Sequence, residues 1–252
     1  ALLYTRQAIP AALKVFKPES PLSHRFLSQP LYQDPDYHFV PLQDISPYMP
    51  LAAITTEDGD FFRHQGVNWQ SIFTAVERNL REGEYSVGGS TIPMQLVKNL
   101  FLSPSKILAR KFQELLIVAL LEHAAAIPKE RQLEIYLNVV EFGPGIFGIY
   151  DASMHYFGKL PRDLSALEAV WLASILPAPK RFYRFYEDGG VNTAWLDWMH
   201  DILETMYIRE RLSESEYEDA LEQDLIFFYP AESEDANQAG TDDPYLENKI
   251  AE

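Results

Sequence analysis

Apolar residues along this chain recur at helical rather than strand spacing. Trp69, Ile72, Phe73, Val76 and Leu80 follow a period of three to four, with Asn68 placed to cap the first turn and Gly83 just past the last. That spacing predicts a helix. The stretch from Gly83 to Gly89 holds three glycines in seven residues and no apolar period, which predicts a mobile loop. Ser90 or Thr91 can cap the helix that follows, and Pro93 falls in its first turn, where a missing N–H costs little. Ser103-Pro104 opens a long helix expected to reach about Ala126, with Pro128 as its limit. Ser165-x-x-Glu168 and Ser213-x-x-Glu216 are capping boxes. Between them Trp195, Trp198, Met199, Ile202, Leu203 and Met206 make an apolar stripe that belongs to a core. Strand-like alternation is scarce, and no internal repeat is evident.

Composition places this pattern in a globular chain: 47% of residues are apolar and 23% charged, enough to build a core. Residues 1–46, rich in proline and aromatics, read as a leading segment packed on the core. Residues 47–228 read as the main domain, and 229–252 as an acidic, disordered tail. The absence of cysteine excludes a disulfide scaffold, a thiol nucleophile and any Cys-ligated metal. The longest apolar run, Leu115 to Ile127, is broken by Glu122 and His123 and falls short of the roughly 20 residues of a membrane-spanning helix. The chain starts at Ala1 without a signal-peptide pattern and reads as excised from something longer, so an anchor outside it is compatible with everything here.

The net charge of −16 is unevenly spread. Residues 213–252 carry 13 acids and one base, which argues against nucleic acid as a partner. From Tyr85 to Gln113 the bias reverses, with Lys98, Lys106, Arg110 and Lys111 and no acid. A basic surface in an acidic protein suggests an anionic ligand; an ordinary solvated helix face is the plainer reading.

Four segments carry candidate chemistry. Glu57-Asp58-Gly59-Asp60-Phe61-Phe62-Arg63-His64-Gln65-Gly66 gathers acids, a base and a histidine between two predicted helices, where active-site residues commonly sit. Taken singly, each also suits a helix end or a turn. Gly88 to Asn99 runs a glycine-rich loop into a helix start, whose free N–H groups favour an anion. Thr91, Gln95 and Lys98 share one face of that helix. Arg110, Lys111 and Glu114 place two cations and a carboxylate on one face. Lys129, Leu133, Glu134, Tyr136, Leu137 and Asn138 follow on a further helix.

In order and spacing these segments resemble the peptidoglycan glycosyltransferase family, the lipid II polymerases found alone or fused to penicillin-binding transpeptidase domains. The matches are Glu57, Asp58, Phe61, His64 and Gly66, then residues 88–99, then Arg110, Lys111 and Glu114, then the Lys129-to-Asn138 set. The segment from Glu141 to Gly148 looks most like the monofunctional branch. Departures stand at Pro93-Met94, where the family has Thr-Gln, and at Trp198-Met199, where it has an arginine pair. Gly59-Asp60 also replaces residues that are commonly basic.

The resemblance implies a mainly α fold, with a lysozyme-like large lobe and a smaller membrane-proximal lobe around a long cleft. It implies an inverting glycosyltransferase that polymerises lipid II and releases undecaprenyl pyrophosphate. Glu57 would be the general base and Lys98, Arg110 and Lys111 the pyrophosphate clamp. Ser90, Thr91, Gln95 and Asn99 would line the groove, Asp58, Phe61 and His64 would support substrate binding around Glu57, and Glu134, Tyr136 and Asn138 would form a structural motif. Glu114 would be a second catalytic carboxylate, orienting the cations, assisting the leaving group or helping to hold a divalent cation (Mg or Mn). Expected partners are lipid II, the growing glycan strand, a membrane surface and other cell-wall synthesis proteins, at the outer face of a bacterial cytoplasmic membrane. The departures make a binding module derived from that fold the first alternative. A lysozyme-like hydrolase is the second, since it too would place a glutamate in a helical cleft.

Overall fold

The computed structural model describes residues 38–82, 89–101, 108–119, 122 and 127–230. Helices dominate them. The helices are α1 (Tyr48–Glu57), α2 (Trp69–Glu82), α3 (Ile92–Phe101), α4 (Leu108–Ala119), α5 (Lys129–Val139), α6 (Gly148–Phe157), α7 (Ala166–Ile175), α8 (Pro179–Phe182), α9 (Arg184–Glu187), α10 (Thr193–Ile208) and α11 (Glu214–Glu222). A two-stranded antiparallel hairpin, β1 (Glu141–Gly143) and β2 (Ile146–Phe147), joins α5 to α6. Among the described residues no helix is long and apolar enough to cross a membrane.

The centre of the fold is α7, whose ten residues are all buried. A helix apolar on every side has no solvent face to offer and must be wrapped. α1 packs on it most extensively, with α10 and α11 alongside. The first two turns of α1 are buried from Met49 to Ile54, which leaves its last turn, Thr55 to Glu57, at the edge of the core. A second, smaller apolar cluster gathers Met94 and Val97 of α3 with Val118 of α4, flanked by Val67, Leu115, Ile117 and Ile127.

Local signals act as the sequence indicates. Asn68 caps α2 by accepting the Ser71 N–H at 3.0 Å, and both serine capping boxes are formed, at Ser165 and Ser213. The start expected for α4 at Ser103-Pro104, its end near Ala126 and residues 83–88 of the glycine-rich loop lie outside the described residues.

The stripe on α10 needs a correction. Met199, Ile202, Leu203 and Met206 are buried, but Trp198 is 38% exposed and Trp195 only half-buried. Trp195 meets Phe182, Phe185 and Trp198 in a chain of ring contacts 4.4–4.8 Å apart. The two tryptophans therefore extend the core's edge as an aromatic ladder.

Residues 38–46 strap across α5. Asn138 pairs with both backbone groups of Val40, accepting its N–H at 2.7 Å and donating to its carbonyl at 2.8 Å. Glu134 accepts the Leu42 N–H at 2.8 Å and a hydrogen bond from Arg131. Val40, Leu42 and Ile45 are buried beneath. Asn138 also sets the next turn: a Cβ on Gly148, at φ +83°, would come within 2.6 Å of the Asn138 carbonyl oxygen. At the other end, Tyr229 stacks on Tyr186 and donates to its carbonyl, so the first residue grouped with the acidic tail is packed on the domain. Residues 231–252 lie outside the described residues.

Candidate active site

Glu57 is the last residue of α1. The chain leaves the helix at Asp58, which adopts φ −158° while its N–H still donates to Ile54, so the side chains of Glu57 and Asp58 diverge. Asp58 turns inward. Its buried carboxylate accepts the Ile92 N–H at the start of α3 at 3.0 Å and holds His64 Nε2 at 2.8 and 2.9 Å. A carboxylate at a helix N-terminus satisfies an orphan donor and meets the positive end of the dipole. His64 Nδ1 is buried without a hydrogen-bond partner among the described residues. The tautomer with its proton on Nε2, directed at Asp58, fits that arrangement, because it leaves only an acceptor unused.

Thr91 makes the second tie between these segments. Its hydroxyl donates to the Gly66 carbonyl and accepts the Met94 N–H at 3.3 Å, so it is the cap of α3. Gly66 sits at φ +82° against α4, where a Cβ would come within 2.4 Å of Val118 Cγ1. No other residue fits that position. Asp58, His64, Gly66, Thr91 and Ile92 thus lock the turn after α1 onto the start of α3.

One turn further along α3, Gln95 reaches Glu57. Its Nε2 donates to Glu57 Oε2 at 2.7 Å, and its Oε1 accepts from the Tyr136 hydroxyl of α5 at 3.2 Å. The tyrosine fixes which end of the amide faces the carboxylate. Burial pushes the Glu57 carboxyl above its usual range; the Gln95 hydrogen bond and the charge of Lys98 act the other way, and Asp58 adds to the rise. A carboxylate lifted in this manner and still hydrogen-bonded is suited to accept a proton near neutral pH. Lys98 itself is exposed.

The other expected site residues divide. Ser90 and Asn99 are exposed on α3 or just before it. Thr91 is buried and its hydroxyl is engaged within the protein, so it shapes the groove without facing it. Phe61 is a correction: it is wholly buried, contacts the rings of Phe62 and His64, and lies under Lys129 Nζ at 4.9 Å. Its ring packs in the core and offers no exposed surface. Glu114 is buried on α4. Arg110 and Lys111 belong to the same helix, and their side chains lie outside the described residues. Glu134 and Asn138 serve the strap, whereas Tyr136, from the same helix, serves the site.

Pro93 and Met94 are both buried, Met94 within the small cluster on Val97 and Val118. Their departure from the family pattern therefore alters packing, not the lining of an open groove. Met199 lies in the core, so one of the family's two arginine positions is apolar here for a packing reason, whereas Trp198, at the other, is exposed and burial does not account for it. Two arginines that sequence reasoning passed over do approach the site: Arg209 Nη1 lies 3.5 Å and Arg211 Nη2 3.3 Å from the Gly59 carbonyl oxygen. Their signal in the sequence was an Arg-Glu-Arg run just past the apolar stripe of α10.

Among the described residues no group of three or more histidines, cysteines or acids lies together as a metal cage, and Glu114 belongs to none.

Fold and site together define a mainly helical enzyme domain organised around one protected carboxylate. The family model described as Transglycosylase matches residues 24–207, and the chain belongs to that family. It is a glycosyltransferase. It is 44% identical over 167 residues to the biosynthetic peptidoglycan transglycosylase of Janthinobacterium sp. (strain Marseille), an alignment covering 66% of this chain and 69% of that protein. With the proteins of the same name from Nitrosomonas eutropha and Aromatoleum aromaticum it shares 46% over 147 and 47% over 146 residues. Those alignments cover 58% of this chain each, and 59% and 63% of the relatives.

Proposed function

We propose that this chain polymerises lipid II into β-1,4-linked glycan. The observation that carries the proposal is Glu57: a half-buried carboxylate at a helix end, with raised proton affinity, held by Gln95 and facing the charge of Lys98. The acceptor sugar's 4-hydroxyl loses its proton to Glu57 as its oxygen attacks the anomeric carbon of the donor from the face opposite the leaving group. The bond from that carbon to the pyrophosphate oxygen breaks with inversion, and undecaprenyl pyrophosphate departs with its electron pair. Lys98, Arg110 and Lys111 meet the charge that develops there. Glu114, buried on the helix of the two latter cations, is the second carboxylate of the site. Ser90 and Asn99 contact the sugars. The family membership and the named relatives support this substrate, and with it a site of action at the outer face of the cytoplasmic membrane, with the lipid tail held in that membrane.

The test is incubation of the chain with lipid II and separation of the products by size. Polymer that appears with the wild type and not with Glu57→Gln is the expected result. Binding of lipid II without polymer would turn the reading into a binding module. New reducing ends released from finished peptidoglycan, with no growth from lipid II, would make it a hydrolase.

A further inference from the structure

Two residues before Glu57 a side-chain hydroxyl, and two residues after it a backbone carbonyl, are tied to one buried guanidinium. Arg211 Nη1 donates to Thr55 Oγ1, and Arg211 Nη2 donates to the Gly59 carbonyl oxygen at 3.3 Å. The side chain is almost fully covered: Arg211 is 7% exposed. Among the described residues it makes no ion pair, although a buried cation ordinarily requires one. Its hydrogen bonds go instead to two neutral oxygens that bracket the candidate base in sequence.

The turn that delivers Arg211 is itself costly. α10 ends in a Schellman arrangement, with Glu210 N–H donating to Tyr207 and Arg211 N–H to Met206, each at 2.8 Å. The left-handed position of this motif normally belongs to glycine, yet Glu210 occupies it at φ +57° and is the single described non-glycine residue at positive φ. Strain of this kind persists where the surroundings fix it. Here it reverses the chain so that Arg209 and Arg211 reach the same carbonyl oxygen of the turn after α1. Burial and the neighbouring Arg209 lower the affinity of Arg211 for its proton, with Asp60 opposing, to a pKa of about 10, so the group is still a cation at neutral pH.

We propose that Arg211 is a positioning residue for Glu57, a guanidinium clamp that joins the last turn of α1 to the Asp58–Gly59 turn and fixes the direction in which the Glu57 carboxylate points. The proposal rests on reading Glu57 as the general base. Asp58 locks the turn from one side through α3 and His64; Arg211 locks it from the other through α10. A base held on both sides stays within reach of the attacking hydroxyl, and displacement of a catalytic group by about 1 Å can cost about 10²-fold in rate. The planar fork of arginine can bond two acceptors at once, whereas a lysine ammonium at the end of a flexible stem cannot replace both.

The experiment compares wild type, Arg211→Met, Arg211→Lys and Thr55→Val for lipid II turnover and for amide hydrogen exchange across residues 57–63. Arg211→Met should lower kcat by about 10–10²-fold with KM for lipid II little changed. Arg211→Lys should recover part of the loss, and guanidinium ion at millimolar concentration should restore activity to Arg211→Met. Exchange across 57–63 should rise while that of α7 stays as in wild type. Thr55→Val, which removes one acceptor and keeps the shape, should lower kcat in the same direction by less, and it decides the matter if the Arg211 variants fail to fold. Unchanged exchange across 57–63, or a loss confined to KM, would overturn the clamp. A wild type that makes no glycan, with exchange responding as described, would refute the polymerase reading and leave the clamp standing.

Discussion

Tyr136 and Glu57 are joined through a single side chain: the tyrosine hydroxyl donates to Gln95 Oε1 at 3.2 Å, and Gln95 Nε2 donates to Glu57 Oε2 at 2.7 Å. The orientation of the amide is thereby set by a buried phenol on a different helix, and Glu57 receives a donor rather than an acceptor. Tyr136 is itself made harder to ionise, by burial first and by the charges of Glu57 and Asp58 next. It stays a donor at any pH at which the protein works.

This relay governs the pH dependence of activity. Glu57 must be ionised to accept a proton, and burial raises its pKa, so kcat/KM should fall on the acid side at a pH above the ordinary carboxylate range. Gln95→Met removes the hydrogen bond that favours the ionised form and should move this limb to still higher pH. A pH–rate profile checks both, and a limb that stays put in Gln95→Met would show that the amide does not tune the base.

Glu57→Gln should lose about 10²–10⁴-fold in turnover, the usual contribution of a general base, and at the same time gain thermal stability near neutral pH. The sign follows from linkage. A carboxyl whose folded pKa lies above its unfolded value stabilises the fold when protonated, and that contribution is lost as pH rises through the folded pKa. The glutamine resembles the protonated form. Its melting temperature should therefore exceed that of wild type at pH 7–8, and the difference should vanish as pH falls below the ordinary carboxylate range. A lower melting temperature at pH 7 would contradict the raised proton affinity.

Asn138→Leu tests the strap. It would leave the N–H and carbonyl of Val40 without their partners, and each buried orphan costs about 1–3 kcal/mol. A destabilisation of about 2–6 kcal/mol is expected, measured as a shift of the denaturant midpoint. Activity of the folded fraction at low temperature should persist, because Asn138 touches neither Glu57 nor Gln95.

The sequence made some of this legible and hid the rest for identifiable reasons. Glu57, Asp58, His64 and Gln95 stand out through the motifs that resemble the family's, whereas Tyr136 was expected to be structural. The structure joins Tyr136, Gln95 and Glu57 in one hydrogen-bonded chain and His64 and Asp58 in a second, both anchored on α3. Helix caps at Asn68, Thr91, Ser165 and Ser213 are short-range effects and can be read locally. What escaped was long-range. Phe61 looks like any exposed aromatic in a polar loop until α5 covers it with Lys129. Arg211 lies more than 150 residues from Thr55 and Gly59, and only the packing of α10 on α1 brings them together. Trp198 and Trp195 share the period of the buried stripe, but a period shows which face is apolar and not how far the cover extends.

Met94 gives the last prediction, and it reverses the one that the family pattern suggests. By the pattern, Pro93-Met94 stands where a polar pair lines the groove, so restoring Thr-Gln should help catalysis. Met94 is buried with Val97 and Val118, and Val67, Leu115, Ile117 and Ile127 surround that cluster. A glutamine amide in these apolar surroundings would give up its water without gaining obvious partners, at a cost of about 1–3 kcal/mol. Pro93→Thr with Met94→Gln should therefore lower the melting temperature and leave the rate per folded molecule no faster than wild type. Thermal melts and lipid II turnover on the same preparation check it. A variant that is as stable as wild type and faster would show that residue 94 reaches the substrate after all.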